Sequence, residues 1–123
     1  MKRVILFMVV LVISCYVTGC KSNDYEKAVE LLESGKYMQA LKILEELEAN
    51  GGYEDSSNKV KECQYLQAKQ YFEEQNYMQS YELYCDLLGY KDSEERMIEA
   101  EYALANFYAA NENYGKAYCY LLR

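Results

Sequence analysis

Residues 65–80 read Tyr-Leu-Gln-Ala-Lys-Gln-Tyr-Phe-Glu-Glu-Gln-Asn-Tyr-Met-Gln-Ser, and this stretch decides the fold because its pattern occurs three times. Tyr65, Ala68, Tyr71, Tyr77 and Ser80 return upstream as Tyr25, Ala28, Leu31, Tyr37 and Ala40, and downstream as Tyr102, Ala105, Tyr108, Tyr114 and Ala117. The shift is 40 residues between the first two copies and 37 between the second and third, with the three extra residues around Ala49, Asn50 and Gly51. A period of this length over nearly the whole chain is the signature of stacked helix pairs. The expected fold class is all-α: a short α-solenoid of antiparallel helix pairs, about three repeats, following an N-terminal signal helix.

Each copy carries two apolar stripes at helical spacing. In the first, Ala28, Leu31 and Leu32 follow Tyr25 on one face, and Tyr37, Ala40, Leu41, Leu44 and Leu47 make a second face beyond Gly35. The stripes can bury each other only if the helices run antiparallel. Small residues at Ala28, Ala68 and Ala105, and at Ala40, Ser80 and Ala117, mark where the paired helices approach closely. Ser34-Gly35-Lys36 supplies the break, since glycine tolerates the left-handed cap that ends a helix; Gln75-Asn76 and Glu112-Asn113 occupy the same place in the later copies, asparagine being the next best residue there.

Between copies lies Gly52-Tyr53-Glu54-Asp55-Ser56, echoed by Gly89-Tyr90-Lys91-Asp92-Ser93. Glycine should end one helix and Asp or Ser should cap the next, with Asp92 and Glu95 in capping-box form. These signals predict long first helices near 56–75 and 93–111, and shorter partners near 77–88 and 114–122. No segment alternates with the period of a strand, and the chain has no proline to interrupt a helix.

The first twenty residues give an address. Lys2 and Arg3 precede an apolar run of 14 residues, Val4 to Val17, which closes on Thr18, Gly19 and Cys20. As a helix this run is about 21 Å long at 1.5 Å per residue, short of the ~30 Å hydrocarbon core, so it reads as an export signal. Val17-Thr18-Gly19-Cys20 also resembles the bacterial lipobox. That resemblance implies cleavage before Cys20, a diacylglycerol on its sulfur, and anchoring at the extracytoplasmic face of the cell membrane. A plain signal peptide or an uncleaved anchor are the alternatives. The expected organisation is a signal peptide at 1–19 and a repeat domain at 20–123.

Loss of the signal takes Lys2 and Arg3 with it, leaving 11 basic against 20 acidic residues, a net charge of −9. Nucleic acid is an unsuitable partner for such a surface, and an anionic leaflet would hold it off the lipid. The chain has no histidine, which removes the commonest general base and the commonest zinc ligand. Neighbouring carboxylates such as Glu73 and Glu74 point about 100° apart on a helix and cannot share a substrate. No phosphate loop or nucleophile elbow is present. Neither a catalytic residue, a metal site nor a cofactor is expected. Cys63 shares a column with Ala100 and is expected as a buried thiol, a disulfide among Cys63, Cys85 and Cys119 being the alternative. Of the 15 tyrosines, ten lie in repeat columns where packing calls for a large residue, so packing is the expected role there ahead of recognition.

The repeat resembles the tetratricopeptide family. The likeness rests on Ala28, Ala68 and Ala105, on the Leu or Tyr three residues later, on Tyr37, Tyr77 and Tyr114, on the small residue three after each, and on Leu44, Tyr84 and Leu121. It covers residues 22–123. The early Trp and Leu of that family are missing, and the Gly-Tyr-x-Asp-Ser connector replaces its terminal Pro, so the chain looks like a divergent branch, similar to exported repeat proteins of low-GC Gram-positive bacteria. The resemblance implies protein or peptide binding on the face formed by the first helices, without catalysis. Carried over by position, that groove comprises Tyr65, Leu66, Lys69 and Phe72 with Tyr102 and Asn106. The expected function is a membrane-anchored adaptor, tethered through Cys20, that binds a protein or peptide at the envelope. The alternative is a surface receptor or wall-associated module for a small solute or glycan. Residues 114–123 present an apolar flank with no polar capping helix after it, so this end is expected to fray, to pair with a second copy, or to reflect a shortened reading frame.

Overall fold

The computed structural model describes residues 20–122. The expected signal segment, residues 1–19, and Arg123 lie outside the described residues. Every regular element among the described residues is a helix: α1 over residues 20–33, α2 Tyr37–Ala49, α3 Ser56–Glu73, α4 Tyr77–Asp86, α5 Ser93–Ala110 and α6 Tyr114–Leu121. The predicted long-then-short alternation is present, each helix stopping within about two residues of its expected end. The described residues divide into two compact units, the first ending at Val60 and the second starting at Lys61.

In the first unit, the Lys21 ammonium donates to the Asn50 carbonyl at 2.7 Å, joining the start of α1 to the residue after α2 and fixing the pair as antiparallel. Ala28, Leu32, Ala40, Leu44 and Leu47 are buried. In the second unit, contacts across the α3–α4 turn step outward in register. Phe72 meets Tyr77, the Ser80 hydroxyl donates to the Ala68 carbonyl at 2.8 Å, and Tyr65 meets Tyr84. Only antiparallel helices give that order. α4 packs on α5 and α5 on α6. The small columns do what their size predicts, since Ala68, Ala105, Ser80 and Ala117 are all buried. Cys63 and Ala100, which share a column, are fully buried too.

Three expectations are corrected. The left-handed residue between paired helices is Gly35 (φ 77°) in the first copy, but Gln75 (φ 63°) and Glu112 (φ 59°) in the others, not the asparagines after them. The reason is register. Gln75 N–H bonds the Phe72 carbonyl and Asn76 N–H the Tyr71 carbonyl, a Schellman closure that needs its left-handed residue one place before the asparagine. Asn113 instead starts the next helix, accepting from the Lys116 amide at 3.4 Å. Second, Asp92 makes no side-chain cap for α5, because its carboxylate is taken by Tyr65 and Arg96. Third, the tyrosine columns do not serve packing alone. Tyr102 and Tyr114 are 63% and 67% exposed, and the fully buried tyrosine is Tyr84, outside those columns.

Candidate functional site

The second unit carries an open depression of about 630 Å³. Its floor is a stripe of α5, with Glu99, Tyr102, Ala103 and Asn106 at spacings of three, four and seven residues and Phe107 beside them. Its wall is the α3–α4 turn, which contributes Phe72, Gln75 and Tyr77. The wall stands where it does because Gln75 adopts the left-handed conformation and turns the chain within three residues.

The lining is aromatic and amide. Phe72 and Tyr77 meet edge to face at 5.3 Å between ring centroids, and Tyr77 meets Phe107 in the same manner at 6.5 Å. Beyond Phe107 the rings continue away from the depression. Tyr108 lies 5.8 Å from Phe107, Tyr120 stacks on Tyr108 at 5.9 Å and 11°, and Tyr81 meets Tyr120 at 6.3 Å. Six rings therefore form one continuous chain through α3, α4, α5 and α6. Aromatic pairs of this geometry add to the area they bury, and the chain orients Phe72, Tyr77 and Phe107 in the lining. The one carboxylate of the depression, Glu99, is paired with Arg96 at 2.9 Å. Gln75 and Asn106 supply neutral donors and acceptors.

Of the six groove residues expected from sequence, Phe72, Tyr102 and Asn106 line this depression together. Lys69 is exposed and Leu66 half-buried, and neither is part of the lining. Tyr65 is engaged in packing. Its ring sits between Tyr84 at 5.8 Å and Tyr90 at 6.0 Å, with the Lys91 ammonium 4.9 Å from its centroid, and its hydroxyl donates to Asp92 at 2.5 Å. That bond raises the Tyr65 phenol above its ordinary range, helped by burial, and holds the Asp92 carboxyl below its own. Burial pushes the Tyr84 phenol up to about 12. Sequence reasoning missed Gln75, Tyr77, Glu99, Ala103 and Phe107. The spacing of Glu99 to Tyr102 and Asn106 on α5 was a usable signal for Glu99, whereas Tyr77 looked like a packing residue and is in fact both.

The contacts of Tyr65 have a twin. In the first unit, Tyr25 meets the connector Tyr53 at 5.6 Å, and its hydroxyl donates to Asp55. Tyr25 and Tyr65 are the same repeat column, as are Tyr53 and Tyr90, and Asp55 and Asp92. Each connector is thus locked to the tyrosine of the helix pair before it.

In the first unit a smaller depression, about 420 Å³, is lined by Cys20, Lys21, Asp24, Ile43, Glu46, Leu47 and Asn50. Cys20 is exposed at the start of the described residues. Among the described residues there is no group of three or more His, Cys, Asp and Glu side chains arranged for a metal ion, and no helix is long and apolar enough to cross a membrane. Comparison of the chain with protein-family models, curated proteins and solved structures finds no match to any of the three.

Proposed function

We propose that this chain is a lipid-anchored adaptor of the cell envelope, its helix pairs stacked as a short tetratricopeptide-like solenoid that binds a protein or an extended peptide. Cys20 carries the lipid, the body faces outward from the membrane, and the protein has no catalysis of its own. The observation that carries the reading is the open depression on α5, where Tyr102 and Phe107 are exposed and Phe72 and Asn106 stand beside them. An exposed ring held by neighbouring rings, as Phe107 is by Tyr77 and Tyr108, gives contact area at low entropic cost, and amides at its margin can satisfy a peptide backbone. The absence of a histidine and the pairing of Glu99 with Arg96 favour binding over chemistry.

The test is crosslinking in native membranes followed by recovery of this protein. A reproducible protein partner, lost when Tyr102 and Phe107 are both changed to Ala, supports the adaptor. A volume of this size also suits a small ligand, so recovery of wall polymer or a soluble solute without protein would support the receptor reading instead. The tether is tested separately by palmitate labelling and membrane fractionation of the Cys20→Ala variant, which is expected to lose the label and leave the membrane fraction.

A further inference from the structure

Phe107 breaks a pattern that the repeat otherwise keeps. Its counterparts in the first and second copies are Glu30 and Gln70, and both are exposed. Each of those copies is followed by another, so this column faces solvent by its place on the helix. The third copy puts a phenylalanine there that is 46% exposed and adds its ring to Phe72 and Tyr77 in the depression of the second unit. The electrostatics of that depression have one sign. No lysine or arginine lines it, and its one charged residue is Glu99. Arg96 meets Glu99 Oε2 at 2.9 Å and Asp92 at 3.1 Å, so one cation serves two carboxylates, and the Glu99 side chain remains 54% exposed. Residues 61–123 include six basic and eleven acidic side chains, so the unit that bears the depression is acidic as well.

We propose that this depression takes a basic side chain, arginine or lysine, from an extended segment of a partner protein, with the cation over the Phe107 ring and its charge toward Glu99. This deepens the adaptor reading and rests on it, naming the chemistry that the partner presents. The second unit uses the same chemistry among its own residues. The Lys91 ammonium lies 4.9 Å and 5.3 Å from the centroids of Tyr65 and Tyr90, and the Lys116 ammonium lies 5.2 Å from that of Tyr108, the ring next to Phe107. An aromatic face attracts a cation through its quadrupole, and a nearby carboxylate adds to that attraction. Acidic surroundings draw a basic segment in and turn an acidic one away. The amides of Gln75 and Asn106 supply donors and acceptors for the main chain of the segment.

The probe is a short fluorescent peptide that alternates arginine with alanine, titrated into the full chain in detergent and followed by anisotropy, beside peptides with glutamine or glutamate in place of every arginine. The expected result is saturable binding of the arginine peptide, about tenfold tighter than the glutamine peptide, weakening as salt rises, with no binding of the glutamate peptide. Phe107→Gln, which installs the residue of the second copy, should weaken it roughly fivefold. Glu99→Gln should weaken it roughly threefold and flatten its salt dependence. Glu99 is solvent-facing, so this variant keeps the fold whatever becomes of Phe107→Gln, and helical circular dichroism checks both. The proposal is overturned if the arginine peptide does not bind, or if it binds the folded Phe107→Gln chain as tightly as the parent, which would be attraction to an acidic surface alone. Equal binding of the glutamine peptide would replace it with main-chain recognition that needs no cation, and tighter binding of the glutamate peptide would reverse its sign. A protein partner recovered from native membranes and crosslinked to the depression through a segment without arginine or lysine would leave the adaptor standing and remove the cation site.

Discussion

The connectors at Gly52–Ser56 and Gly89–Ser93 share one five-residue pattern and one geometry, yet they are reinforced from opposite sides. In both, glycine is left-handed, as is the residue after the tyrosine, Glu54 or Lys91, and the serine is fully buried. The first is held from within. Ser56 Oγ accepts from the Tyr53 amide at 3.1 Å and donates to the Glu48 carboxylate. The second has Cys85 at the same distance before its serine as Glu48 stands before Ser56, and Ser93 Oγ is buried without a partner. Its reinforcement lies outside, in Lys91 over two rings and Arg96 across Asp92 and Glu99. The shared residues fix the path of the chain; the variable ones decide whether a buried hydrogen bond or a solvent-facing cation supports it.

Substituting the two glycines should break this parallel most strongly. A Cβ at Gly89 meets nothing within 4 Å, so Gly89→Ala carries only the left-handed strain, about 1 kcal/mol. A Cβ at Gly52 comes within 3.3 Å of the Glu48 carboxylate that serves Ser56, so Gly52→Ala adds the disturbance of that bond and should cost about 2 kcal/mol. Urea midpoints of the two variants read the difference, and equal midpoints would show that the inner hydrogen bond contributes nothing.

Exchanging the supports comes next. Glu48→Ala leaves the Ser56 hydroxyl buried without its acceptor and should destabilise by about 1 kcal/mol. Cys85→Glu should act in the opposite direction by giving Ser93 the acceptor it lacks, raising the melting temperature by a few degrees. If Cys85→Glu lowers it, the equal spacing to the serine does not carry this contact across.

The Tyr65–Asp92 lock has a pH signature. A phenol raised in the folded state contributes stability that is complete below its unfolded value near 10.0 and is lost as pH climbs through the folded value. Tyr84, at about 12, sets the upper edge of that window. Asp92 is depressed, so its contribution is present above the ordinary value of 3.8 and fades as pH falls through the folded value. Tyr65→Phe should therefore return the Asp92 carboxyl toward its usual range in an NMR titration and move the onset of alkaline unfolding. An unchanged Asp92 titration would remove the lock as its cause.

The smallest effect belongs to Arg96. Its ion pairs with Asp92 at 3.1 Å and Glu99 at 2.9 Å are solvent-facing, so Arg96→Ala should shift the melting temperature by less than about 2 °C and by nothing measurable in high salt. A salt-independent loss would mean that the second connector depends on Arg96 for packing.

The depression on α5 was half visible in the sequence. Phe72, Tyr102 and Asn106 follow from position within the repeat, because a helix face is set by spacing alone. Gln75 and Tyr77 do not, since they come from the turn, and a turn's direction depends on which residue takes the left-handed conformation. Asp92 shows the same limit. Its distance from Glu95 has the form of a cap, but Tyr65, 27 residues earlier, competes for the carboxylate and wins it. Local spacing describes what a side chain can reach within one turn of helix and is silent about what tertiary packing brings to it.

The alternation of long and short helices, their antiparallel pairing within a copy and the small residues at their crossings were determined by the sequence alone, because periodic apolar stripes have few ways to hide from water. The tertiary structure alone decided that the Asp55 carboxylate faces Tyr25 and that the Asp92 carboxylate faces Tyr65. Those outcomes depend on distances between residues some 30 positions apart, which are fixed by how whole helices pack.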